Sequence, residues 1–157
     1  MRAEHINPFI ESVYELFNTM LQGKVERGPI GVSSGNTAPP DIMAIVGISG
    51  PTRGTLSIGF PAGTALSMVG RILGASVASI DETVSDGVAE IANIVAGSAK
   101  AKLNTNADRP LDLSLPTVVY GNKYDVQYPS KAVWLEVPFT SDLGEFNLRV
   151  TFETVPQ

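Results

Sequence analysis

The sequence has no cysteine and a single histidine, His5, close to its start. Without thiols there is no disulfide, no cysteine nucleophile and no thiolate ligand for zinc. Without an internal imidazole there is no Ser/His pair inside the core. Basic side chains are also scarce: 11 Lys and Arg against 16 Asp and Glu leave a formal net charge of −5. Binding along a phosphate backbone draws on clustered cations, so nucleic acid is not an expected partner. Charged residues make up 17% and hydrophobic ones 43% of the 157 residues, a balance that excludes a disordered acidic chain. No apolar run approaches the roughly 18 residues of a membrane span, and MRAEHINPF has no basic start followed by a long apolar stretch. The expectation is a soluble cytoplasmic protein without membrane contact, with one domain over 1–157 built on one core.

What is present reads as helices alternating with groups of strands. Asn7 is placed to cap a first helix with Pro8 at its first position, and Ile6, Phe9, Ile10, Val13, Phe17, Met20 and Leu21 follow at helical intervals to a stop near Gly23. A polar stretch, 28–40, is an exposed connection with room for a short strand at 30–32. Residues 42–48 and 55–60, separated by Gly50, Pro51 and Gly54, predict a β-hairpin. Pro61 opens a second helix with Leu66, Val69, Ile72 and Leu73 inward and Gly74 as its stop. The longest helix spans 83–103, and 104–110 breaks it. Strands are predicted over 111–120, 124–128, 131–139 and 145–154; in the last, Phe146, Leu148, Val150 and Phe152 alternate with polar residues. The fold class is α+β, with long amphipathic helices on a largely antiparallel sheet. A helix, a polar break and then strands occur twice, a weak internal pseudo-repeat.

On the long helix, Val84, Val88, Ile91, Val95 and Ala99 form one stripe, and Asp86, Glu90, Asn93 and Gly97 gather on the opposite side. A solvated polar face is ordinary, but two of these residues are not. Asn is a poor helix former that usually sits in a specific hydrogen bond, and Gly in a helix interior costs about 1 kcal/mol relative to Ala while leaving a notch another backbone could enter. Close packing of Gly97 against a neighbouring strand is the other explanation for it.

The stretch DGVAEIANIVAG carries Asp86, Glu90 and Asn93, and Pro116 follows after twenty-two intervening residues. This resembles the signature of the CheC, CheX and FliY family of response-regulator phosphatases, with every element met. By average residue usage, a chain of this size meets it by chance on the order of once in a few hundred. INPFIESVYELF, IVGISG leading into TLSIGF, and LPTVVYG are similar to CheX-type sequences, so the resemblance covers nearly the whole chain. Glu15 and Asn18 repeat the Glu and Asn spacing on the first helix and form a candidate second site, although position 41, where its proline would stand, holds Asp41.

The resemblance implies hydrolysis of the aspartyl phosphate of a CheY-type receiver. It assigns the catalytic pair to Asn93, which orients the attacking water with its neutral amide, and Glu90, which reaches a receiver lysine by a charge-assisted hydrogen bond. Asp86 and Gly97 are candidate partner-binding residues, and Pro116 is a structural one. No metal or cofactor of its own is expected, since Mg²⁺ would come with the receiver. A homodimer joined through strand edges is implied as well. A non-catalytic receiver-binding module on the same fold is the competing class.

Overall fold

The computed structural model describes residues 5–33, 39–50, 52–103, 110–121, 124 and 133–154. The period-two alternation that marks β-branched and aromatic runs as strands also decides which side of the sheet is buried. The strands are β1 (Val25–Arg27), β2 (Gly31–Ser33), β3 (Ile42–Ser49), β4 (Thr52–Phe60), β5 (Asp112–Leu113), β6 (Thr117–Tyr120), β7 (Trp134–Ser141) and β8 (Phe146–Thr154). They form one antiparallel sheet in the order β1-β7-β8-β4-β3-β5, with β2 also on β7 and β6 also on β3. The register lines up Val46, Leu56, Val150 and Leu135 as one row across four strands, and Ala44, Ile58, Leu148 and Val137 as the next. All eight are buried in the core.

The helices α1 (Asn7–Leu16), α2 (Ala62–Leu73) and α3 (Glu82–Leu103) cover that face. Phe9, Ile10, Val13 and Leu16 of α1 enter the same core, as do Val84, Val88, Ile91, Val95 and Ala99 of α3. Phe146 stacks on Phe17, Phe60 and Phe139 with ring centroids 5.1–5.7 Å apart, joining the turn that follows α1 to three strands. Trp134, at the start of β7, is buried.

Several local expectations are corrected. The first helix starts at Asn7 itself, capped by Ile6 without a side-chain bond, and it continues as a π-helical turn over Phe17–Leu21. It stops near Gly23 as expected, with Gln22 as its left-handed cap and the Gln22 and Gly23 N–H groups both reaching the Phe17 carbonyl. Leu73 points outward, because Thr64, Ala65, Met68 and Val69 supply the buried stripe of α2. Gly74 does stop that helix, at φ 68°. In the 28–40 connection, β2 forms as expected at its short-strand position and β1 precedes it. The strand expected over 124–128 lies outside the described residues except for Tyr124, which is not in a strand.

Both sheet edges are kinked in the same way. On β3, Ile48 faces Leu113 and Ile45 faces Thr117, so Ser114, Leu115 and Pro116 oppose only Val46 and Gly47. On β7, Arg27 faces Phe139 and Gly31 faces Glu136, so Gly28, Pro29 and Ile30 oppose only Val137 and Pro138. Each is a β-bulge carrying a proline, placed where a missing N–H interrupts no ladder in a central strand. The two edges are thus alike in carrying a proline in the bulge, Pro29 in one and Pro116 in the other. Asp41 serves the fold in another way, because its Oδ2 accepts the Ala62 N–H at 2.7 Å and caps α2.

Candidate functional site

The site is built on α3, whose 22 residues make it the longest helix. Asp81 caps its start, accepting the Val84 N–H at Oδ1 (3.1 Å), and Lys100 and Lys102 sit in its last turn, where cations suit the helix dipole. Seven side chains, Val84, Val88, Ile91, Ala92, Val95, Ala96 and Ala99, are buried against the sheet. The opposite face carries Asp86, Glu90, Asn93 and Gly97, all exposed as the helical period predicts.

Glu90 and Asn93, three residues apart, are neighbours on that surface, with Cβ atoms about 5–6 Å apart in such a pair. Among the described residues neither side chain has a hydrogen-bond or ion-pair partner. Asp86 is likewise unspent. An amide and a carboxylate thus stand in solvent on a helix whose backbone is anchored by its buried stripe, so their positions are set before any partner arrives.

The two glycines of α3 do different things. A Cβ at Gly87 would meet Val69 Cγ1 and Cγ2 at 2.7 Å, so this glycine lets α2 approach closely. At Gly97 a Cβ would meet nothing within 4 Å. Packing against a neighbouring strand, the competing explanation for Gly97, is therefore excluded, and its notch is open to solvent beside Asn93.

The α1 pair is placed differently. Glu15 accepts hydrogen bonds from Ser98 Oγ (2.8 Å) and Lys102 Nζ (2.6 Å), bridging α1 to α3. Lys102 first, and then Ser98, holds its carboxyl below the ordinary carboxylate range. Because the folded pKa is depressed, the stabilisation from this contact is present above the unfolded pKa and is lost as pH falls through the lower folded value. Asn18 is exposed in the π-helical turn. At about 100° per residue, Ser98 lies about 140° around α3 from Asn93, so Glu15 meets a different flank of the helix. Sequence reasoning missed Ser98 and Lys102; their i, i+4 spacing on one flank was the available signal.

Pro116 lies in the edge bulge. There Ser114 accepts the Gly47 N–H at Oγ (2.8 Å) and donates its own N–H to the Gly47 carbonyl (2.9 Å), closing the irregular backbone. Lys100 Nζ, 3.8 Å from Asp112 Oδ1, ties the last turn of α3 to the same edge. Among the described residues no group of three or more His, Asp or Glu gathers as a metal site, and no helix is long and apolar enough to cross a membrane.

Residues 42–140 match the model of the family described as chemotaxis phosphatase CheX. The chain is 30% identical over 141 residues to the CheY-P phosphatase CheX of Thermotoga maritima, covering 89% of each protein. Among solved structures, a CheC-like superfamily protein from Shewanella sp. PV-4 superposes with a TM-score of 0.88 at 32% identity, over 98% of this chain and 99% of the other. The chemotaxis protein CheX from Vibrio vulnificus gives 0.86 at 30% identity, over 96% and 100%.

Proposed function

The chain belongs to the CheX family of chemotaxis phosphatases, and from that premise we propose how it dephosphorylates a CheY-type response regulator: α3 completes the receiver's active site from outside. The observation that carries this reading is the state of Glu90 and Asn93, exposed side by side and unspent on a braced helix. The substrate is the receiver's aspartyl phosphate, and water is the nucleophile. Asn93 accepts a hydrogen bond from that water at its Oδ1 and holds its oxygen in line with the phosphorus. The new bond joins the water oxygen to phosphorus, the bond to the aspartyl oxygen breaks, the aspartate leaves as carboxylate, and the water protons end on inorganic phosphate and solvent. A neutral amide does this without repelling the phosphoryl oxygens, as a carboxylate would. Mg²⁺ on the receiver supplies charge neutralisation of the phosphoryl group.

Glu90 binds a receiver lysine beside the phosphate and sets the docking register, and Asp86 supports the same contact from one turn earlier. The receiver's cytoplasmic setting is then this protein's own. Homodimer formation through a sheet edge belongs to the same proposal, with the two bulged edges as its available surfaces.

Release of inorganic phosphate from a CheY-type receiver, autophosphorylated with acetyl phosphate in Mg²⁺, tests the reading. Glu90→Ala is expected to lower kcat/KM by about 10- to 100-fold, mainly through KM, since a charge-assisted contact to the partner is lost. A receiver that binds the wild-type chain with no acceleration of phosphate release would replace this reading with the non-catalytic module.

Gly97 supplies a second check. Its site is open, so Gly97→Ala is expected to raise stability by about 0.5–1 kcal/mol in a denaturant titration. Gly97→Leu fills the notch that the receiver backbone enters and is expected to raise KM with kcat little changed. An unaltered KM in Gly97→Leu would remove Gly97 from the docking surface.

A further inference from the structure

The Glu and Asn spacing occurs on two helices, and the structure puts the two pairs to different use. Glu90 and Asn93 are unspent, whereas Glu15 is engaged by Ser98 and Lys102, residues one turn apart on α3. The fully buried stripe of α3 consists of valines, alanines and Ile91, and Ile94 and Leu103 pack partly buried against the same core. This apolar packing anchors the helix on the sheet, and contacts on its polar flanks bear on its exact rotation about its own axis. Two such flank contacts are present. Glu15 touches α3 at two points along its axis from the α1 side, and Lys100 is tied to Asp112 from the β5 side.

We infer that Glu15 is a positioning residue: by clasping Ser98 and Lys102 it fixes the rotation of α3, and with it the direction in which Asn93 faces a docked receiver. The inference rests on the reading of α3 as the receiver-facing helix. It also reassigns the α1 motif from a second water-holding pair to a brace. An exposed ion pair of this kind contributes little to global stability, so its effect lies in geometry and the melting temperature is not its readout.

The two roles predict opposite signs for one substitution. If Glu15 is a brace, Lys102→Met loosens α3 and lowers kcat as Glu15→Ala does, by about five-fold in each case, with KM changed by less than about two-fold. The double variant is then no worse than either single one, because both remove the same contact. Glu15→Gln, which can still accept from both partners, restores most of the rate. If Glu15 and Asn18 are instead a second catalytic pair, Lys102→Met frees the carboxylate and raises the rate, and Asn18→Ala loses as much as Glu15→Ala. Either of those results overturns the proposal, as does an unchanged kcat in Glu15→Ala.

Amide hydrogen exchange keeps this test separate from the proposed function. Glu15→Ala is expected to speed exchange at residues 93–98 several-fold, whatever α3 binds. Full activity in Asn93→Ala alongside that faster exchange would reject the reading of the site and leave the brace standing. Unchanged exchange would reject the brace.

Discussion

Asn93→Ala is expected to abolish acceleration of receiver dephosphorylation, lowering kcat by about 10²-fold or more while KM stays near wild type. The size follows from the role proposed for the amide. In the proposed mechanism the receiver brings the phosphorylated aspartate and charge neutralisation and this protein adds an oriented water, and in the row Asp86, Glu90, Asn93 and Gly97 the Asn93 amide is the neutral group that both donates and accepts. Placement of a reacting group by an ångström is worth factors of this order, whereas loss of a docking contact, the role proposed for Glu90, weighs on KM. The side chain is exposed and makes no contact that folding uses. The circular dichroism spectrum and the melting temperature are therefore expected to match wild type. Phosphate release under single-turnover conditions is the direct measurement, and full activity in Asn93→Ala would sink the water-positioning mechanism.

The largest stability effect is expected at the centre of the sheet. Leu148 is fully buried on β8, between Ile58 of β4 and Val137 of β7 in the register, with helices over it. Removing its isobutyl end in Leu148→Ala leaves a void that two hydrogen-bonded neighbouring strands cannot close. The expected cost is about 2–5 kcal/mol, or roughly 5–15 °C in melting temperature for a chain of this length. Chemical denaturation with an unchanged m-value checks it; a loss under 1 kcal/mol would mean the core relaxes around the site. Activity of the folded fraction is expected to persist at low temperature, because Leu148 reaches α3 only through the core.

These two residues were legible in the sequence for the same reason. Periodicity reports which side of an element faces the core, and Asn93 and Leu148 are defined by opposite sides of that division. The exposed row Asp86, Glu90, Asn93 and Gly97, the hairpin of β3 and β4, and the alternation of β8 all follow from local pattern. The errors fell where longer-range contacts compete with local preference. Asn7 had the chemistry of a cap, yet the helix begins on it because Ile6 is drawn fully into the core. Leu73 continued a helical stripe, but as the last residue of α2 it lies beyond Met68 and Val69, which meet the core, and it stays exposed.

By itself the sequence determined the α+β class, the amphipathic face of α3 and the unusual placement of an amide and an open glycine on it, because these depend on order along the chain and on side-chain chemistry. The sequence set the two Glu and Asn pairs apart only by the proline missing at position 41, and the tertiary structure showed what each carboxylate contacts. Their spacing is identical, but α1 lies beside Ser98 and Lys102, 83 and 87 residues away in sequence from Glu15. A carboxylate with a cation 2.6 Å away is spent on the fold, and one facing solvent is available to a partner. That difference arises from the packing of one helix against another, which local pattern does not encode.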